Sequence, residues 1–195
     1  MTEHKHGPAA YVWTDYETTG LDERHDHLLE VAFIVTDKEL REIDRRSSLI
    51  QISDDTWGLL NANEYVKRMH HESGLWSELA LKGWDAPTIE SVDGSTSAWL
   101  SELASPGETL RMAGGGVANF DWPWTKIHLP QVAALLHYRP LDISIVAQAF
   151  KDATGSTAMS KLHIGGAKAH RALADIEEDL GIARTAWDLL RRIPA

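Results

Sequence analysis

Two strand-like segments near the start of the chain constrain the fold most. Residues 9–16 (AAYVWTDY) and 28–37 (LLEVAFIVTD) are rich in β-branched and aromatic residues, and the turn-like segment GLDERHDH separates them. The second segment is apolar enough to predict a largely buried strand. Apolar positions within residues 39–52 predict a third strand. Three strands in succession predict an antiparallel meander at the beginning of the fold.

Helical patterns dominate the rest of the chain, with two further strand candidates between them. The last helix is the clearest, because apolar residues between Leu173 and Leu190 recur at steps of three and four. Strands followed by alternating helices and strands predict an α/β fold with a mixed central sheet flanked by helices. The strand candidates are residues 108–113, which precede three glycines, and 141–145. The other expected helices lie near residues 61–70, 74–82, 88–104, 119–137 (broken at Pro123 and Pro130) and 145–151.

The composition excludes several classes of protein. The chain has no cysteine, which excludes disulfide frameworks, thiolate nucleophiles and zinc or iron–sulfur sites ligated by cysteine. A metal ion must therefore bind to oxygen or imidazole. With 19 basic and 29 acidic residues, the net charge of −10 argues against a broad basic surface for nucleic acid. It remains compatible with an enzyme that holds nucleic acid through metal ions, because divalent cations reverse the field of the carboxylates that bind them.

The chain is long enough for one domain, taken as residues 1–195, of which residues 1–8 are expected to be disordered. Its longest apolar stretches, such as Val31–Val35, are far shorter than the about 20 residues that a membrane span needs. The first ten residues (MTEHKHGPAA) lack the apolar core of a signal peptide. We therefore expect a cytoplasmic protein that does not contact a membrane.

Acidic residues occur at places where secondary structure could bring them together. Asp15 and Glu17 are two residues apart on a predicted strand, so both side chains project from the same face. The spacing fits a shared cation, and it fits equally well a turn that begins at Asp15 with both groups solvated. Asp175 flanks the buried stripe of the last helix, while Asp121 follows the glycine-rich strand end, where capping a helix is the alternative. His170 precedes the last helix, where histidines are commonly structural or solvated.

Three segments together resemble, in order and spacing, the exonuclease motifs of the DEDDh 3′-to-5′ exonuclease superfamily. They are Trp13-Thr-Asp-Tyr-Glu-Thr-Thr-Gly-Leu-Asp22, Gly116-Val-Ala-Asn-Phe-Asp121 and His170-Arg-Ala-Leu-Ala-Asp-Ile176. Two more, His137-Tyr-Arg-Pro-Leu-Asp-Ile-Ser144 and His70-His-Glu-Ser-Gly-Leu75, resemble signature segments of oligoribonuclease, the member that degrades very short RNAs. The resemblance extends over nearly the whole chain.

This resemblance implies an RNase H-like exonuclease fold and a reaction that releases 5′-mononucleotides from short oligoribonucleotides. It assigns two divalent cations, Mg²⁺ or Mn²⁺, to Asp15, Glu17, Asp121 and Asp175. It assigns His170 the role of general base for the attacking water. The residue types agree with that chemistry, because hard cations prefer carboxylate oxygen. Two such ions about 3.5–4 Å apart can activate a water and hold the leaving 3′-oxygen.

The resemblance also implies substrate contacts at four other positions. Leu21 would wedge between the two 3′-terminal bases, and Tyr65 would stack on one of them where the family usually has Trp. Arg139 and Ser144 would cap the 5′-phosphate of a dinucleotide. The alternatives are core packing for Leu21, a surface position for Tyr65, a salt bridge for Arg139 and a helix cap for Ser144. Gly114-Gly-Gly116 replaces the family's usual Gly-Asn-Ser, and without the serine hydroxyl the cap is weaker.

Short single-stranded RNA is the expected partner, with DNA as the alternative if the chain is a proofreading-type exonuclease of the same superfamily. A catalytically inactive nucleic-acid-binding module is the alternative from another class, and the presence of all four carboxylates and the histidine argues against it. Oligoribonucleases are homodimers, and the resemblance places residues 137–139 near the partner's cleft. A dimer would also cover Leu135, Leu136 and Tyr138, so we expect two-fold symmetry.

Overall fold

Five strands form a mixed sheet at the centre of the protein. The computed structural model describes residues 6–159 and 170–192. The strands are β1 (Tyr11–Thr18), β2 (Leu28–Thr36), β3 (Glu42–Leu49), β4 (Arg111–Gly114) and β5 (Leu141–Asp142). They lie in the order β3-β2-β1-β4-β5, with β2 antiparallel to both β1 and β3, and β4 parallel to both β1 and β5. The predicted meander and mixed sheet are confirmed.

Helices cover both faces of this sheet. Within the described ranges they are α1 (Asp54–Ala62), α2 (Glu64–Glu72), α3 (Leu75–Lys82), α4 (Ile89–Leu103), α5 (Asp121–His128), α6 (Pro130–Leu135), α7 (Ile143–Thr154) and α8 (Ala172–Leu190). In the described part of the chain, no helix is long and apolar enough to cross a membrane.

Alternation along β1 and β2 divides the core into two layers. Successive strand residues point to opposite faces of a sheet. Val12 and Phe33 therefore pack against α4, α5 and α6 on one face, whereas Trp13 and Ile34 pack against Ile176 of α8 on the other. Because both faces are covered, all nine residues of β2 are buried. The same alternation puts the side chains of the odd-numbered residues of β1 on the α8 face.

A third apolar cluster holds α1, α2 and α3 together beside the start of β2. It contains Leu29 of β2, Leu60 of α1, Val66 of α2 and Leu79 of α3, all of which are buried. This packing holds α2 beside β2, and His70 of α2 reaches the Thr18 carbonyl at the carboxyl end of β1.

The structure differs from the sequence-based expectations at three elements. Helix α1 was not predicted, because only Thr56 and Leu60 are buried along it and an apolar stripe is absent. The predicted break at Pro123 is wrong: this proline lies in the first turn of α5, where backbone N–H groups have no intrahelical acceptor to lose. The expected strand at 141–145 is limited to two residues, because Asp142 accepts the N–H groups of Ser144 and Ile145 and so starts α7.

Of the segment expected to be disordered, residues 1–5 lie outside the described residues. Within the remainder, Gly7 donates its N–H to Asp37 Oδ2 at 2.8 Å.

Candidate active site

A cleft of about 590 Å³ opens at the carboxyl end of β1. Asp15 and Glu17 line it from the sheet, Asp121 from the first residue of α5, and His170 and Asp175 from the beginning of α8. Three of the carboxylates are buried, whereas Asp15 and His170 are half-buried. The structure thus brings all four acidic residues and the histidine singled out in the sequence into one cleft, from three separate elements.

The most compact part of this group is formed by Glu17, His170 and Asp175. One potential ligand atom from each lies within 4.8 Å of the other two. Carboxylate oxygen and imidazole nitrogen are donors to divalent cations, and a cation there would offset the repulsion between the two carboxylates. The residues present therefore fit an oxygen-rich metal centre.

Helix starts support two of the carboxylates. Asp121 is the first residue of α5, and Asp175 lies in the first turn of α8. The backbone N–H of Asp175 donates to the Arg171 carbonyl at 3.0 Å. The N-terminus of a helix carries a partial positive charge that favours negative side chains. Both helix starts therefore favour a negative charge at these positions.

Hydrogen bonds behind β1 connect that strand to Asp121. The Tyr16 hydroxyl lies 2.8 Å from Thr125 Oγ1. The Thr125 hydroxyl in turn donates to the Asp121 carbonyl at 2.7 Å. Burial raises the pKa of Tyr16 above its ordinary value, with the nearby carboxylates Asp121 and Asp15 acting in the same direction. A neutral Tyr16 can donate its hydroxyl proton to Thr125 Oγ1.

His170 has an unusual backbone conformation. Its φ angle is +45°, in the left-handed region that non-glycine residues seldom adopt. This conformation costs about 1–2 kcal/mol, and such residues concentrate at functional sites. It places the imidazole in the cleft immediately before α8 begins.

His70, on α2, lies behind Glu17 in the protein interior. Its side chain is fully buried, with Nε2 3.1 Å from the carbonyl of Thr18 and Nδ1 3.8 Å from Glu17 Oε2. Burial lowers the pKa of His70, and the nearby His170 acts in the same direction, against the raising effect of the Thr18 hydrogen bond. A neutral His70 donates from Nε2 to Thr18. The sequence segment that contains His70 contributed to the resemblance, but nothing in it indicated this contact.

Leu21 and Tyr65 line the cleft, where the resemblance places them. Leu21 is 83% exposed, which excludes the alternative role in the core. Tyr65, on α2, is 64% exposed and lines the same cleft. A nucleic-acid base could cover either the aliphatic side chain of Leu21 or the ring of Tyr65. Contact with a flat apolar partner would remove their exposed apolar surface from water.

Arg139 and Ser144 are not among the residues that line the cleft of their own chain. The Arg139 guanidinium lies 5.1 Å from the ring of Tyr138, itself 64% exposed and stacked on His137. Ser144 lies in the first turn of α7, and the capping carboxylate there is that of Asp142. Of the apolar cluster expected at a dimer surface, Leu135 and Leu136 pack into the core, while Tyr138 remains exposed.

The two glycines after β4 are explained by their surroundings. Gly115 lines the cleft and donates its N–H to Asp179 Oδ2 at 2.5 Å, and a Cβ at this position would lie 2.7 Å from Asp179 Oδ1. Gly116 has a φ of +80° and donates to Asp142 Oδ1 at 3.1 Å. A side chain at Gly115 would collide with Asp179, and one at Gly116 would be strained.

Comparison with known proteins finds similarity to exonucleases and oligoribonucleases. The exonuclease family model RNase_T matches residues 12–75, which include β1 and α2. The oligoribonuclease of Tropheryma whipplei (strain Twist) is 32% identical over 174 residues, and the alignment covers 89% of each chain. The oligoribonuclease of Leifsonia xyli subsp. xyli (strain CTCB07) is 30% identical over 169 residues, covering 87% of this chain and 78% of the relative.

Solved structures identify the fold. Exonuclease I from Methylocaldum szegediense superposes with a TM-score of 0.69 at 19% identity, and the zinc-bound complex of E. coli exonuclease I with single-stranded DNA superposes with a TM-score of 0.63 at 16% identity. Each superposition covers 95% of this chain but only 42% of the exonuclease I chain. The expected RNase H-like exonuclease fold is confirmed.

Proposed function

The chain belongs to the oligoribonuclease family, and on that premise we propose that it is a two-metal-ion 3′-to-5′ exoribonuclease that degrades short oligoribonucleotides to 5′-mononucleotides. One observation carries this proposal above the others. Four carboxylates and an imidazole from β1, α5 and α8 converge in a single cleft that also contains the exposed side chain of Leu21. We further propose that the protein acts in the cytoplasm.

The donor set supports two divalent cations, Mg²⁺ or Mn²⁺. Asp15, Glu17, Asp121 and Asp175 would hold them, because their four negative charges match the four positive charges of two ions, and carboxylate oxygen suits both metals. Bound cations would supply an acidified water and stabilise the charge on the leaving 3′-oxygen. The sharing of one cleft by all four carboxylates supports this assignment.

His170 takes the proton from the attacking water in this proposal. Its imidazole is half-buried, so it can exchange a proton with solvent while one of its nitrogens faces the carboxylates. Glu17 is held in place by its position on β1. These residues fix the direction of attack on the scissile phosphate, since the general base and the carboxylates belong to one rigid group.

Leu21 and Tyr65 hold the two bases at the 3′ end of the substrate. A base stacked on Tyr65 would cover its exposed ring, and Leu21 would separate that base from its neighbour. Stacking is tolerant of base identity, which supports the degradation of short RNAs of varied sequence.

Arg139 and Ser144 bind the 5′-phosphate of a dinucleotide held by the partner of a homodimer. Their position outside the cleft of their own chain and the exposure of Tyr138 support a contribution to a second copy. Arginine suits this role because its planar fork pairs with two phosphate oxygens. Gly116 offers no hydroxyl to this cap, so we expect a preference for dinucleotides that is less strict than in relatives with serine.

The function is tested by the products formed from 5′-labelled RNAs of two to ten residues in the presence of Mg²⁺. We expect a ladder that shortens by one nucleotide at a time from the 3′ end, and no turnover in EDTA. Internal cleavage products would contradict the proposal, and complete inactivity would favour the nucleic-acid-binding module.

A DNA-directed exonuclease is the second candidate, because the solved structures with this fold include exonuclease I bound to single-stranded DNA. RNA and DNA dinucleotides of the same sequence, offered together, distinguish the two. We expect faster hydrolysis of the RNA, whereas faster hydrolysis of the DNA would favour the second candidate.

A further inference from the structure

A buried ion pair lies directly behind the candidate active site. Glu30 is 5% exposed and lies opposite Glu17 in the β1–β2 ladder, so both carboxylates are on the sheet face that α8 covers. A buried carboxylate beside another carboxylate is unfavourable unless a cation partners it. The cation is Arg171, the residue between His170 and the first residue of α8.

Glu30 is bonded to the start of α8 through both of its oxygens. Arg171 Nε donates to Oε2 at 3.1 Å and Arg171 Nη2 donates to Oε1 at 2.8 Å, which makes the pair bidentate. The backbone N–H of Ala172 also donates to Oε2, at 3.1 Å. This N–H is one of the donors that a helix start leaves without an intrahelical acceptor, and the side chain of Arg171 does not cap it. Glu30 therefore serves as the cap of α8 and ties that helix to β2.

The same contacts fix the two groups that α8 contributes to the cleft. His170 precedes Arg171 with a φ of +45°, a conformation that persists only where the surrounding structure holds it. Asp175 lies one turn beyond Arg171, and its backbone N–H donates a hydrogen bond to the Arg171 carbonyl. The backbones of His170 and Asp175 are thus both linked to Arg171, which is attached to Glu30.

We propose that Glu30 and Arg171 are positioning residues for the exonuclease reaction, which direct His170 and Asp175 towards Glu17. The inference rests on the proposed function. The guanidinium fork fixes the angle as well as the length of the contact, which a single ammonium group does not. Arg171 Nη2 also donates to Glu78 Oε2 at 2.7 Å, so the guanidinium partners both Glu30 and Glu78.

The test replaces Arg171 by lysine, which keeps the charge and removes the fork. Because a displacement of about 1 Å at a reacting group can cost a factor of about 100, we expect Arg171→Lys to lower kcat on an RNA dinucleotide by about 10- to 100-fold. KM should stay within about threefold of the wild type, since the bases contact other elements. A second readout needs neither metal nor turnover. The Cε1–H resonance of His170, assigned by its loss in His170→Ala, should shift in the metal-free variant.

Arg45→Lys is the matched control. Arg45 of β3 also joins a strand to α8, because it pairs with Glu177 of α8 as well as with Glu42 of its own strand. These ion pairs lie on the protein surface. We expect wild-type kcat and an unchanged His170 resonance in this variant, because surface pairs contribute little and this one lies away from the cleft.

Glu30→Gln keeps the inference testable if Arg171→Lys does not fold. The amide oxygen can still accept from Ala172 N, but the bidentate charge pair is lost, so we expect a similar fall in kcat. Thermal melting shows which variants are folded. A folded variant of either residue with wild-type kcat and an unmoved His170 resonance would overturn this inference. A wild-type protein that does not hydrolyse RNA would instead overturn the proposed function.

Discussion

Replacing Asp175 by asparagine is predicted to stabilise the protein without metal and to remove its stabilisation by metal. The nearest ligand atoms of Glu17 and Asp175 lie within 4.8 Å of one another. At that distance two unit charges repel by about 3.5 kcal/mol at an effective dielectric constant of 20, and by about 0.9 kcal/mol in bulk water. Asparagine also loses about 0.3–1 kcal/mol of favourable interaction with the helix dipole of α8. We therefore expect a net gain of about 1–2 kcal/mol for Asp175→Asn.

Thermal unfolding in EDTA and in Mg²⁺ measures both effects. For a chain of this size, each kcal/mol corresponds to about 2–4 °C in Tm, so the variant should melt about 2–8 °C above the wild type in EDTA. Mg²⁺ at about 100 times its Kd should stabilise the wild type by about 2.7 kcal/mol, and the variant by much less. The order of the two melting temperatures should therefore reverse when metal is added.

The opposite pattern would refute this reasoning. If Asp175→Asn melts below the wild type in EDTA and retains the same shift with Mg²⁺, the Asp175 carboxylate is an ordinary buried hydrogen-bonding group and not part of a repulsive metal-binding cluster. Asp188→Asn, in the last turn of the same helix and away from the cleft, is the control. It should leave the shift with Mg²⁺ unchanged and stabilise the protein by no more than about 0.3–1 kcal/mol, the cost of a negative charge at a helix C-terminus.

Three further predictions concern the base, the cap and the assembly. His170→Ala should lower kcat by about 10²- to 10⁴-fold while the Kd for Mn²⁺, measured by calorimetry, stays near the wild-type value; loss of Mn²⁺ binding would make His170 a ligand. Arg139→Ala should lower kcat/KM by about tenfold for a dinucleotide and by less for a pentamer, because only the shorter RNA reaches the cap; equal losses would show that Arg139 does not bind the 5′-phosphate. Light scattering at micromolar concentration should give the mass of a dimer, and a monomeric mass would contradict the proposed assembly.

The sequence predicted those parts of the site that depend on local periodicity. Asp15 and Glu17 were expected on one face because strand side chains alternate, and the structure places both in the cleft. The steps of three and four in the last helix likewise predicted its buried stripe, which includes Ile176. Asp121 and His170 were ambiguous from their own neighbours. They became candidates only through the resemblance of three separate segments.

Interactions between distant segments were not predictable from one sequence. Glu30 and Arg171 are 141 positions apart, and a glutamate within an apolar strand gives no indication of which arginine it meets. His70 was read as part of a signature segment, yet its contact with Glu17 depends on how α2 packs on β1. Gly115, just after β4, is explained only by Asp179, which approaches it from α8. Tertiary packing determines each of these contacts, whereas local patterns determine only which face a residue occupies.

The most direct test of the central claim compares Mg²⁺-dependent hydrolysis of a 5′-labelled RNA dinucleotide by the wild type and by Asp15→Ala and Asp121→Ala. These two residues come from different elements, β1 and α5, and meet only in the cleft. If the carboxylates form one two-metal site, both variants should lose turnover while far-ultraviolet circular dichroism shows that each remains folded. Retention of most of the Mg²⁺-dependent activity by either folded variant would contradict the account.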